Sequence, residues 1–182
     1  MAEGIVLFAG FLVLIFISRR TIRAVRSHGL YRLAAWMGIW ALFMLNWRYW
    51  FRSPFAINQL ISWVFLIISL ILLVMSLSML KRSGKPDQTR EDDTLLGLEK
   101  TTVLVAAGIY RYIRHPMYSS LLFLGFGIFF KAPALWGLIL LLLVIISLAL
   151  TAKAEEAEDI QYFGDTYRAY MKRTKKFVPY IW

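Results

Sequence analysis

Long uncharged apolar runs alternate with short clusters of charge along this chain. Residues 4–18 carry no charge and stop at Arg19-Arg20. Residues 33 to about 51 form a second run whose only charge is Arg48, near one end. After Arg52 and Pro54, residues from about 55 to 80 form the third and longest run. A spanning helix needs about 20 mostly apolar residues, with about 17 as the lower end, so the pattern predicts three membrane helices. Residues 81–100 are polar, with Gly84, Pro86 and the acidic run Glu91-Asp92-Asp93, and predict a loop outside the bilayer. Beyond it, residues 116–130 are apolar and short, Lys131-Ala132-Pro133 makes a tight turn, and residues 134–152 run back uncharged. These two segments predict a helical hairpin. From Lys153 the chain is charged and helical to Gly164, then ends in a basic, aromatic tail over residues 172–182. The expectation is an all-α polytopic membrane protein with about five transmembrane helices and a C-terminal cytoplasmic helix. Its organisation is a single domain: three N-terminal spans in 1–80, a cytoplasmic loop in 81–107, and the hairpin with its C-terminal helix in 108–182.

Composition and charge sharpen this expectation. Of 182 residues, 59% are hydrophobic and 18% charged, against about 45–50% and about 25% in soluble domains. The segregation of charge matters more than its amount, because a water-soluble helix scatters charge along its length. With no cysteine the chain can form neither a disulfide framework nor a thiolate metal site. Its two histidines, His28 and His115, exclude a three-histidine catalytic zinc, and no metal site is expected. Five spans place the first connection, the 81–100 loop and the C-terminus on one side. Of 21 Lys and Arg residues, only Arg48, Arg52 and Lys131 fall near the other side. The positive-inside rule makes the basic side cytoplasmic. The net charge of +10 therefore reads as topology and contact with anionic membrane lipids. It does not read as nucleic-acid binding, since no recognition motif accompanies it. The chain start lacks the basic n-region and small-residue cleavage site of a secretory signal, so the first run is expected to be retained as a span. The expected location is a prokaryotic inner membrane or a eukaryotic endomembrane.

Polar residues of chemical interest gather at the cytoplasmic mouth of the final hairpin. One cluster is Gly108-Ile109-Tyr110-Arg111-Tyr112-Ile113-Arg114-His115-Pro116-Met117-Tyr118. The other is Lys153-Ala154-Glu155-Glu156-Ala157-Glu158-Asp159, followed by Phe163-Gly164-Asp165-Thr166-Tyr167-Arg168-Ala169-Tyr170. A hairpin brings His115-Pro116 and Glu155-Glu156 together. Each residue also has an ordinary reading: Arg111 and Arg114 as cytoplasmic anchors, the tyrosines as interfacial aromatics, Pro116 as a first-turn proline. Their convergence at one helix mouth makes a functional site the better account of the group. Arg48 reads as a snorkelling side chain and His28 as a surface residue.

Those two clusters, at that separation, resemble the isoprenylcysteine carboxyl methyltransferase family and its phospholipid methyltransferase relatives over about residues 94–182. The resemblance implies S-adenosylmethionine (SAM) bound in a cofactor pocket at the cytosolic ends of the last helices. It also implies a lipophilic or amphipathic acceptor entering from the bilayer. Carried over by motif position, the cofactor contacts are Thr102, Val103, Leu104, Val105, Tyr110, His115, Pro116, Met117, Tyr118 and Glu155. No catalytic base follows from the motif. A carboxylate such as Glu155 suits a sulfonium and an α-amino group, and apolar walls suit an adenine ring. The eukaryotic isoprenylcysteine enzymes carry an arginine four residues before the cofactor-binding glutamate, where this chain has Thr151. An uncharged threonine cannot replace a bidentate guanidinium, which leaves the acceptor open among prenylcysteine, phospholipid amines, thiols and other hydrophobic molecules. Two alternatives use the same residues differently: an NADPH-dependent membrane reductase of the sterol reductase type, and a non-enzymatic membrane scaffold.

Overall fold

The computed structural model describes residues 2–18, 29–83 and 103–182. The described residues form six α-helices in order: α1 (Ala2–Ile17), α2 (Gly29–Asn46), α3 (Ile57–Ser83), α4 (Pro116–Phe129), α5 (Leu135–Phe163) and α6 (Asp165–Arg173). Single 3₁₀ turns occupy Trp47–Tyr49 and Gly108–Arg111. The described residues form no strand, only an isolated bridge between Ile113 and Lys175. The architecture is all-α, as the hydropathy pattern predicts.

Two stretches, Ile57–Arg82 in α3 and Leu135–Phe163 in α5, are long and apolar enough to cross a membrane. Shorter apolar helices cover Gly4–Ile17 and Pro116–Phe129. The aromatic stretch after Asn46 turns as a 3₁₀ segment instead of extending α2. At its other end α3 runs on through Lys81 and Arg82, where cations meet the helix C-terminal dipole. Pro116 starts α4, a position where its missing N–H costs nothing. Helix α5 does not stop at the end of its apolar part near Ala152 but carries the acidic run outward to Phe163.

Hydroxyls and small residues set the helix seams. Ser62 Oγ donates to the Gly127 carbonyl at 2.6 Å, and Ser69 Oγ, two turns on, donates to the Ser120 carbonyl at 2.7 Å. A Cβ at Gly127 would stand 2.7 Å from a Leu66 methyl, so only glycine admits α3 this close to α4. Between α2 and α5, Gly38 has the same role against Val144. Ala35, Tyr118, Leu122, Val144, Leu148, Ala152 and Phe177 form the main buried cluster. At the far tip of the hairpin Lys131 is buried. Its Nζ donates to Gln59 Oε1 at 3.1 Å and lies 3.6 Å from the Trp63 ring centre, a cation–π contact that replaces part of its lost hydration. The tip is thereby fastened to α3, and the open end of the hairpin is held at the opposite face.

Candidate functional site

At that open end the 3₁₀ turn, the start of α4, the outer third of α5 and helix α6 surround a cavity of about 90 Å³. Leu80, Leu104, Val105 and Met117 supply apolar wall; Phe163, Tyr167 and Tyr170 supply aromatic wall. Glu155 and Asp159, one turn apart on α5, both face the space. They do so because α5 continues past its apolar part, which places its acidic face over the hairpin mouth.

The polar end of the cavity is a charge network with Glu156 at its centre. Glu156 Oε1 accepts from Arg114 Nε at 2.8 Å and lies 3.3 Å from His115 Nε2, while its Oε2 accepts from Lys176 Nζ at 2.9 Å. His115 Nδ1 reaches Glu155 Oε2 at 3.3 Å, so the imidazole bridges the two glutamates. Burial alone would lower the His115 pKa, but its hydrogen bonds to Glu155 and Glu156 and their charges raise it from 6.5 to about 9. Burial would likewise raise Glu156, yet hydrogen bonds from His115, Lys176 and Arg114 bring it down from 4.5 to about 2. At neutral pH the pair is an imidazolium and a carboxylate. The His115 ring stacks on Tyr118, with centroids 5.5 Å apart, and leans against Phe177.

Tyrosines brace the other walls. Tyr110 Oη shares a 2.7 Å hydrogen bond with Ser76 Oγ of α3. Tyr170 Oη donates to the Tyr110 carbonyl at 2.6 Å. Burial, followed by the charges of Asp159, Glu155 and Glu156, pushes the Tyr167 hydroxyl far up, so it keeps its proton. The C-terminal tail closes the structure behind the network. Arg114 N–H donates to the Lys175 carbonyl at 2.8 Å, His115 N–H to the Lys176 carbonyl at 3.1 Å, and Ser119 Oγ to the Phe177 carbonyl at 2.7 Å.

Eight of the ten residues expected as cofactor contacts line this one cavity: Leu104, Val105, Tyr110, His115, Pro116, Met117, Tyr118 and Glu155. Val103 is half-exposed and lies outside the lining, and Thr102 lies outside the described residues. Leu80, Arg114, Asp159, Phe163, Tyr167 and Tyr170 line the cavity without having been singled out as contacts. Arg114, Asp159, Phe163, Tyr167 and Tyr170 stand in the two motif clusters, so their proximity was readable. Leu80 ends an apolar run and carries no local signal. Thr151 is fully buried, its hydroxyl donating to the Ser147 carbonyl one turn back at 2.8 Å, and it offers no charge to the site.

The cavity can hold a cation against Glu155 and Asp159 and a planar ring against its apolar and aromatic walls. It cannot use His115 as a base at neutral pH, since that imidazole already holds both protons. A family model described as phospholipid methyltransferase matches residues 60–166, more than half of the chain. No curated protein and no solved structure matches it.

Proposed function

The chain belongs to the phospholipid methyltransferase family, and from that premise we propose that it is an integral membrane methyltransferase that uses SAM at this cavity. The observation that carries the reading is the convergence of the motif residues from 104–118 with Glu155 around one space of suitable charge and lining. The donor set suits the cofactor: a carboxylate pair for its cationic centres, apolar and aromatic walls for its base. Glu155 and Asp159 would hold the cationic end, and Leu104, Val105 and the α6 tyrosines the ring. When bound, SAM supplies an activated methyl group for in-line transfer.

The residues of this chain then do three things. Glu155 and Asp159 orient the donor, and positioning of this kind accounts for up to about 7–11 kcal/mol of a barrier. His115, held by Glu155 and Glu156, fixes the direction of the Glu155 carboxylate. Helix α6 and the aromatic walls exclude water. Because His115 keeps its proton, an acceptor that must lose one on methylation gives it to Glu155, to Asp159 or to solvent. An acceptor that is already ionised needs no such step.

The same reading makes α1, α2 and α4 spans beside α3 and α5, five in all, with the cavity on the cytoplasmic face. The charge asymmetry along the sequence and the two long apolar helices support it. The acceptor is lipophilic or amphipathic and enters from the bilayer. Titration calorimetry of the detergent-solubilised chain with S-adenosylhomocysteine tests the proposal. A single site is expected, and Glu155→Gln should weaken it by about 10–100-fold, the worth of one charged hydrogen bond. A folded sample that does not bind, or a variant that binds as well as the wild type, overturns it. Methyl-labelled SAM added to membranes, with lipids and proteins extracted separately, then identifies the acceptor class.

A further inference from the structure

Back to back with the cavity lies a second concavity of different chemistry. Tyr110 and Tyr170 line the cavity, while their chain neighbours Arg111 and Met171 line a groove of about 220 Å³ on the other side. Arg111, Lys172, Arg173 and Lys175 bring four cations to this groove, flanked by Tyr112 and Tyr180. An adjoining hollow again uses Arg111 and Arg173. No carboxylate lines either one, and among the described residues none of the four cations forms an ion pair with a carboxylate. Their near neighbours in the chain, Arg114 and Lys176, instead turn inward onto Glu156. The inward cations are neutralised by the network; the outward ones are not.

Backbone hydrogen bonds keep the groove in shape. Lys175 N–H donates to the Tyr112 carbonyl at 2.9 Å, and Arg114 N–H to the Lys175 carbonyl at 2.8 Å. The segment bearing Arg111 and the segment bearing Lys172 to Lys175 are therefore tied together, and the positive charge is concentrated before any ligand arrives. Tyr112 is 46% exposed, Tyr180 80% and Ile181 78%. Cations beside exposed aromatic and apolar side chains are the composition of a protein surface at the headgroup level, where anionic lipid attracts them.

We propose that this groove binds the phosphate of an anionic phospholipid headgroup, with Arg111, Lys172 and Lys175 as its ligands. A guanidinium offers a bidentate fork to phosphate oxygens and the lysines offer point charge. Tyr112 and Tyr180 lie against the glycerol region. The proposal rests on the membrane-embedded reading above, and it is independent of which acceptor is methylated.

The test is titration calorimetry of the full chain in neutral detergent with a short-chain phosphatidylglycerol, the matching phosphatidylcholine, and inorganic phosphate. Saturable binding of phosphatidylglycerol is expected, with none of phosphatidylcholine and far weaker binding of phosphate. Combining Arg111→Gln, Lys172→Gln and Lys175→Gln should weaken it on the order of a hundredfold, roughly fivefold for each cation removed. Binding of S-adenosylhomocysteine should be unchanged, which also shows that the variant folds. Should the triple variant not fold, Arg111→Gln alone is expected to show its roughly fivefold share. The idea is overturned by a wild-type chain that does not saturate with phosphatidylglycerol, or by variants that bind it equally well. Phosphate binding as tight as the lipid's overturns the lipid assignment in favour of a free phosphate ligand. Wild-type chain that retains phosphatidylglycerol but ignores S-adenosylhomocysteine counts against the methyltransferase reading and leaves this one standing.

Discussion

Glu156 holds three cations from three parts of the chain: Arg114, His115 and, from the tail, Lys176. It is buried and its two oxygens are fully engaged, whereas Glu155 beside it faces the cavity. Glu156→Gln would leave Arg114 and Lys176 without their charge partner. Breaking such a pair from one side costs about 3–5 kcal/mol, to be read by chemical denaturation in detergent. The network also fixes a pH dependence. The raised pKa of His115 contributes stability that is complete below 6.5 and is lost as pH rises through about 9. The depressed pKa of Glu156 contributes stability that is complete above 4.5 and is lost as pH falls through about 2. Thermal midpoints of the wild type should therefore decline between pH 6.5 and about 9, and His115→Gln should flatten that decline. An equal slope in both proteins would contradict the assignment. The pairing of His115 with the two glutamates was legible from the hairpin pattern. The family resemblance pointed to Glu155 as the glutamate at the cavity, but the role of Glu156 as the hub of three cations was not legible, because adjacent helical residues point about 100° apart and only packing sets what each one meets.

Helices α5 and α6 meet at Gly164, whose φ of +61° and ψ of −134° lie where residues with a Cβ are strained. No atom lies within 4 Å of a Cβ built there, so the constraint is the backbone's own. Gly164→Ala should cost about 1–3 kcal/mol and, by re-aiming α6, move Tyr167 and Tyr170 off the cavity. Weaker binding of S-adenosylhomocysteine together with a lower unfolding midpoint is the expected pair of results. A midpoint unchanged from the wild type would show that the turn tolerates a side chain. The existence of the five apolar helices followed from hydropathy, but α6 beyond Gly164 and several helix limits did not. Trp47–Tyr49 left α2 for a 3₁₀ turn, α3 overran its apolar stretch, and the charged segment after Lys153 proved to be one helix with the span before it. Hydropathy records transfer from water and carries no information on where backbone hydrogen bonding stops.

Across the molecule, the last nine residues make the site one unit. The tail looks, in sequence, like a basic aromatic surface segment. In the fold it returns to Arg114 and His115 through backbone hydrogen bonds, places Lys176 on Glu156 and buries Phe177 to 1% exposure against Tyr118, Leu148 and Ala152. Phe177→Ala should therefore cost about 3–5 kcal/mol, as for a core aromatic. It should also weaken ligand binding, because His115 packs on that ring. A surface anchor would show neither effect, and denaturation and calorimetry on the same sample distinguish the two.

Hydropathy, charge segregation and two motif clusters were enough to predict an all-helical architecture and a polar face at the mouth of the last hairpin, and the family resemblance those clusters carry implied eight residues that now line one cavity. Each of these depends on properties that sum over neighbours in the chain: transfer free energy over a window, or side-chain types at a fixed spacing. Packing between distant segments decided the rest. It turned Glu156 inward onto three cations, brought Leu80 and Tyr170 to the wall, sent Lys176 to the network and Lys175 to the groove, and left Val103 outside. Such outcomes depend on helix rotation and on contacts between residues some 40–60 positions apart, where the sequence pattern has no period to reveal them.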